Sequence, residues 1–181
     1  MALSTLINAF DPAKGAPPRT LWAFARWALS GAWLGIWIAT AIAVVGGVTE
    51  VMAAMVMGLV IDAATGGQAT TFFADNWALL AGFAAFFLVL RPLAFGLNSA
   101  ANFLTIAPNV DPLVLSRLNR WTMGQDIGFF DNDFAGRIAQ KQIQTARAMT
   151  EVVSESINTV AFALATLAAS VALMAAIDLR L

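Results

Sequence analysis

Residues 159–177 read TVAFALATLAASVALMAAI, without one Asp, Glu, Lys or Arg. A helix needs roughly 20 consecutive apolar residues to cross the hydrocarbon core of a bilayer, which is about 30 Å thick. A helix on the surface of a soluble domain carries a polar face, and this run has none. It is read as a membrane-spanning helix.

Two more segments of the same kind precede it. One runs from Trp27 to about Ile61 with Glu50 as its only charge, the other from Asn76 to Val110 with Arg91 as its only charge. The 181 residues are 60% hydrophobic and only 12% charged, whereas soluble domains carry about 25% charge. So little polar surface cannot cover a water-soluble globule. The expected fold class is an all-α membrane protein: an interfacial elbow helix and three long transmembrane helices, the second and third extending into the cytoplasm and joined by a short helix.

Several classes fall away. The first apolar run begins only after about 26 residues and exceeds the roughly 7–15 residues of a signal-peptide core, so a retained span is expected. There is no Cys and no His, which removes disulfide and thiolate chemistry and makes the usual zinc and iron sites improbable. No metal site and no catalytic residue is assigned. A net charge of −1 gives no reason to expect nucleic acid.

Lys and Arg in the loops orient the spans. Lys14, Arg19 and Arg26 precede the first, and the loop DAATGGQATTFFADN after it has none. Arg117, Arg120, Arg137, Lys141 and Arg147 lie between the second and third. This alternation puts the N-terminus in the cytoplasm. The expected divisions are a cytoplasmic segment at 1–19, an elbow at 20–30, spans at about 31–61, 76–107 and 158–177, and an intracellular loop at about 108–157. In TLWAFARWALS, residues 20–30, Thr20 can cap a short helix, and Trp22, Phe24 and Trp27 suit the headgroup region. The alternative is that these residues simply begin the first span.

Helices of about 35 residues would reach roughly 50 Å, more than the bilayer needs. Ala146, Met149, Val153 and Ile157 fall at helical spacing before the third span, so helices two and three are expected to run on into the cytoplasm. Pro108 and Pro112 should kink the second near the membrane surface. The turn between them is GQDIGFFDNDFAGRIAQKQ, residues 124–142. Asp131, Asn132 or Asp133 can cap a short helix there, and Gly136 permits a break. Phe129 and Phe130 at a solvent-exposed tip would suit a partner's surface; packed between the two helices they would be structural. The residues alone leave both readings open.

FFDNDFAGRIAQKQ resembles the first intracellular loop of ABC exporter transmembrane domains, in which Phe-Phe-Asp is followed by a small residue and Gly, then an aliphatic and basic run. The order of elbow, short outer loop and two long helices is similar to the start of that fold, and the resemblance covers nearly the whole chain. It implies the N-terminal half of the membrane domain of a half-transporter in a bacterial inner membrane, working by alternating access. Phe129, Phe130, Asp131, Asn132, Asp133, Phe134, Ala135, Gly136 and Arg137 would then form or flank a coupling helix seated in a nucleotide-binding domain. The implied partners are the lipid bilayer, that domain with its ATP and Mg, the remaining transmembrane helices and a second half-transporter as a dimer. Thr145 stands where many members have an acidic residue, and Gln142 where they have an aliphatic one. No G-x-x-x-x-G-K-[ST] loop occurs here, so no ATPase site or cofactor is assigned to this chain. It is expected to be an excerpt or truncated product of a longer transporter, or to rely on other chains for ATP hydrolysis.

Counted inward from the outer ends, Glu50 and Arg91 lie roughly 16 Å and 22 Å deep at 1.5 Å per residue, within reach of each other. Such intramembrane charges usually face a bundle interior or an aqueous cavity. They are expected either to face the pathway, paired with each other or with residues of the remaining spans, or to form a structural pair that holds helices one and two together. Pro92 leaves the Leu88 carbonyl without its helical donor. Gly31 and Gly35 match G-x-x-x-G, weak evidence for a dimer motif in a span so rich in small residues. The alternative function is a small three-span membrane protein, a remnant or accessory subunit, whose cytoplasmic hairpin binds a partner without transport.

Overall fold

The computed structural model describes residues 6–66, 71–131 and 135–178, and among them there are helices and no strands. Helix α1 covers Leu21–Ala28 and α2 covers Trp33–Gly66. A single turn, α3, spans Phe72–Asp75. Helix α4 runs from Trp77 to Met123, and the five-residue α5 spans Ile127–Asp131. Helix α6 begins with Ala135–Glu155 and ends with Phe162–Asp178.

Three of these, α2, α4 and α6, are long and apolar enough to cross a membrane, with 34, 47 and 42 residues in the stretches Trp33–Gly66, Trp77–Met123 and Ala135–Ala176. In the most apolar part of α6 the share of buried residues is 0%. A stripe of Leu164, Leu167, Val171 and Met174 stands exposed, and only an apolar solvent makes that exposure cheap.

The kinks expected at prolines take a specific form. Within α4, Phe86–Leu90 and Asn102–Ile106 are π-helical, and each ends two residues before a proline, Pro92 and Pro108. Arg91 donates its N–H to the Phe86 carbonyl and Ala107 to that of Asn102, one residue further than in an α-helix. The wider turn lets the backbone pass the missing proline donor and relieves the clash of its ring with the preceding turn. Pro112 sits within an α-helical stretch. A third π segment, Ser156–Ala161, interrupts α6 without a proline.

The contacts divide the chain into two compact units: the chain up to Ala39 with Ala100–Ile157, and Thr40–Ser99 with the chain from Asn158 on. In the first, the lower part of α4 packs against the first part of α6. Ile106, Val110, Leu113 and Val114 on α4 are wholly buried, the spacing of one helical face. Ala146, Met149, Val153 and Ile157 on α6 are buried as well. The N-terminal segment joins this core through Ile7, which is 3% exposed. A Cβ on Gly35 would lie 2.8 Å from Ile7, and one on Gly31 would lie 3.0 Å from the Asp11 carboxylate. The G-x-x-x-G pair therefore admits the chain's own N-terminal segment.

In the second unit, α2 meets the last part of α6 at small residues. A Cβ on Gly47 would come within 2.7 Å of the Phe162 carbonyl oxygen, so only glycine permits the approach. Thr166 donates to the Gly47 carbonyl at 3.3 Å and to that of Phe162 at 2.9 Å. Close backbone approach with a hydroxyl between helices is the usual substitute for hydrophobic driving force in lipid.

Candidate functional site

The turn at 124–137 is built by local hydrogen bonds. Gly124 ends α4, its N–H donating to the Trp121 carbonyl at 3.2 Å, while Gln125 returns its side-chain amide to the same carbonyl at 2.9 Å. Asp126 then starts α5: its Oδ1 accepts the Phe129 N–H at 3.1 Å. That is the N-cap role, taken by a residue earlier than Asp131, Asn132 or Asp133. Asn132, Asp133 and Phe134 lie outside the described residues. Ala135, Gly136 and Arg137 open α6 and are exposed.

The two phenylalanines are half-buried. Phe129 meets Trp121 edge-to-face, with ring centroids 5.8 Å apart, and Phe130 meets Phe129 the same way at 5.3 Å. Trp121 thus gives the Phe-Phe pair an anchor on α4. The apolar groups left bare at the tip are Ile127, 81% exposed, and Met123, 76% exposed. Behind them lies a cavity of about 430 Å³ bordered by Leu118, Trp121, Phe129 and Ile138. Gln142 ties the two long helices together across its edge, donating to the buried Thr122 hydroxyl at 2.6 Å. Thr145 turns its hydroxyl onto the Lys141 carbonyl at 2.7 Å. Both side chains are satisfied within the hairpin.

Arg117 organises the other end of this unit. Its side chain is 0% exposed and donates to six acceptors. Nε reaches the Asp11 carbonyl, Nη1 the Trp27 and Ala28 carbonyls and the Ser30 hydroxyl, and Nη2 the Ser30 carbonyl and Asp11 Oδ2. The guanidinium caps the C-terminal end of α1, where unpaired carbonyls and the helix dipole favour a cation. It binds the N-terminal segment to the same point. Thr20 occupies the N-cap position of α1 but makes no side-chain cap bond.

In the second unit Arg91 Nη2 lies 3.0 Å from Glu50 Oε1 and 3.1 Å from Oε2. Phe87 and Phe95 flank the guanidinium at 5.7 and 5.8 Å. Those rings sit four residues either side of Arg91 and screen it from the surroundings. The pair is still about a third open, 36% for Arg91 and 39% for Glu50. Seven residues on, on the same helical face, the buried Asn98 Oδ1 has no hydrogen-bond partner among the described residues.

Sequence reasoning missed Arg117, Trp121, Asp126 and Asn98. Arg117 had a signal: it continues the Ile106, Val110, Leu113 series, so a charge falls on the buried face. Asp126 precedes the Ile-Gly-Phe-Phe run as an N-cap would. Trp121 extends the Ile106 to Arg117 series by four residues, and Asn98 lies seven residues after Arg91 on one helical face; neither spacing says what the side chain meets.

The chain is 27% identical over 163 residues to an uncharacterized ABC transporter ATP-binding protein of Haemophilus influenzae. The alignment takes in 90% of this chain and 26% of that protein, so the chain spans about a quarter of its relative's length. No protein-family model matches the chain, and no solved structure matches it significantly.

Proposed function

We propose that this chain is the N-terminal part of the membrane domain of an ATP-driven exporter. The observation that carries the reading is the bare apolar tip of Ile127 and Met123 between two helices far longer than a bilayer requires. The similarity to an ABC transporter ATP-binding protein supports it. In this reading α1 is an elbow lying in the cytoplasmic leaflet, and the turn from Asp126 to Arg137 is a coupling helix seated on a nucleotide-binding domain. That domain would bind ATP with Mg and supply the free energy of hydrolysis, this sequence containing no G-x-x-x-x-G-K-[ST] loop.

The chain's own part is mechanical. Trp121 and Phe129 brace the tip against α4, and Gln142 locks α6 to α4 through Thr122, so a push on the tip moves both helices together. Glu50, Arg91 and the acceptor of Asn98 supply polar groups at membrane depth, facing the pathway or holding α2 to α4. The exporter would work as a dimer of half-transporters, its arrangements selected by nucleotide.

The test places a photo-cross-linking amino acid at Ile127, and separately at Thr71, in the complete protein in its native membranes. Cross-links from Ile127 into an ATPase domain, with none from Thr71, are expected. Cross-links from both positions alike, or from Ile127 only to lipid, would defeat the reading. In the same protein, Phe129→Ala with Phe130→Ala should leave ATP hydrolysis largely intact while transport falls at least tenfold.

A further inference from the structure

We infer that the cleft between the N-terminal segment and α1 binds the phosphate headgroup of an anionic phospholipid. The inference rests on the placement of the chain in a bilayer and on no other part of the exporter reading.

A cavity of about 510 Å³ opens there, bordered by Asp11, Lys14, Arg26, Trp27, Ser30 and Gly31. Its floor is already satisfied. Asp11 Oδ2 accepts from the buried Arg117 at 3.3 Å. The Ser30 hydroxyl donates to the Trp27 carbonyl at 3.0 Å and accepts from Arg117 at 2.9 Å. Gly31 takes φ +83°, a conformation side chains disfavour, and a Cβ there would press on Asp11 at 3.0 Å. Across the cleft the Trp27 indole donates to the Lys14 carbonyl at 3.2 Å, holding the two walls together.

The walls are different. Lys14 and Arg26 are exposed, and neither makes a salt bridge among the described residues. Three cations, Lys14, Arg26 and Arg117, stand against the single carboxylate of Asp11, which Arg117 already engages. Positive charge is therefore in excess, and a phosphodiester oxygen could accept from both walls at once.

A soluble anion would meet the same charges, but the surroundings favour a lipid. On α1, beside the cleft, Leu21 is 83% and Trp22 85% exposed, side chains suited to the boundary between headgroups and acyl chains. A ligand with a phosphate for the cleft and hydrocarbon for these side chains is an anionic phospholipid.

Each basic residue near an anionic membrane surface is worth about a fivefold change in affinity. The complete protein, purified in detergent, would be titrated separately with phosphatidylglycerol, phosphatidylcholine and inorganic phosphate, and bound molecules counted by native mass spectrometry. Retention of phosphatidylglycerol in preference to phosphatidylcholine is expected. Lys14→Gln with Arg26→Gln should weaken that retention about 25-fold without lowering the unfolding temperature. Lys14→Arg with Arg26→Lys should restore it.

Equal binding of the two lipids by the wild type would overturn the site, and that comparison needs no variant. So would undiminished binding by the glutamine variant. Displacement of phosphatidylglycerol by equimolar inorganic phosphate would make it a soluble-anion site and overturn the lipid assignment. Failure of the bilayer placement shows separately, as release of the protein from membranes by alkaline carbonate.

Discussion

At the residue scale, Arg117 bears the heaviest structural duty in the first unit. Six acceptors converge on one buried guanidinium. A buried acceptor left bare costs about 1–3 kcal/mol, so Arg117→Met should lower the unfolding temperature in detergent sharply. Asp11→Asn should do far less. Asp11 is 48% exposed and its contact is the longest of the set at 3.3 Å, while the backbone acceptors keep their partner. An equal or larger loss in Asp11→Asn would mean that the ion pair, and not the helix cap, holds the segment. The sequence showed Arg117 as one of several basic residues counted for orientation. Its register with Leu113 and Val110 was legible; its acceptors, about ninety or more residues earlier, were not.

At the scale of elements, two helix pairings decide the second unit. Gly47 lies where a methyl group would strike the Phe162 backbone at 2.7 Å, whereas a Cβ on Gly58 in the same helix meets nothing within 4 Å. Gly47→Ala should therefore destabilise by about 1–3 kcal/mol through overpacking. Gly58→Ala should stabilise by up to about 1 kcal/mol through helix propensity. Thermal unfolding of the two variants side by side checks the contrast, and similar effects would remove the close approach from the account.

The Glu50–Arg91 pair joins α2 to α4 in the same unit. Either charge left alone at depth costs about 2.5–3.5 kcal/mol on insertion scales. Glu50→Gln and Arg91→Gln should each destabilise, while the double variant should lose clearly less than the two losses added. An additive cycle would show that the contact carries no coupling. A double variant that folds yet fails to transport would favour the pathway role over the structural one.

For the whole molecule, orientation can be read directly because the chain has no cysteine of its own. In intact cells a membrane-impermeant maleimide should label Thr71→Cys, and should reach Gln125→Cys only after permeabilisation. The reverse pattern would invert the topology inferred from Lys and Arg. Labelling of both without permeabilisation would contradict the arrangement of spans. The two compact units share no such simple probe, since each has its own packing: α4 against α6 through aliphatic side chains in one, α2 against α6 through glycine and threonine in the other.

The presence of three apolar helices was determined by the sequence alone, because at most one charge over a bilayer's thickness leaves a helix no cheaper setting than lipid. The helical spacing of Ala146, Met149, Val153 and Ile157 likewise marked a helix running into the third span; that these four form its buried face came from the structure. Depth put Glu50 and Arg91 within reach of each other but left other partners open, and the structure pairs the two at 3.0 Å. Only the tertiary structure decided which side chains the tip leaves bare. Phe129 stood open between an exposed knob and a packed side chain; against Trp121 it is half-buried, and the tip leaves Ile127 bare. It also decided what Gly31 and Gly35 admit and what Arg117 holds. Each of those outcomes depends on a segment distant in the chain arriving within a few ångströms, and periodicity along one helix carries no information about that arrival.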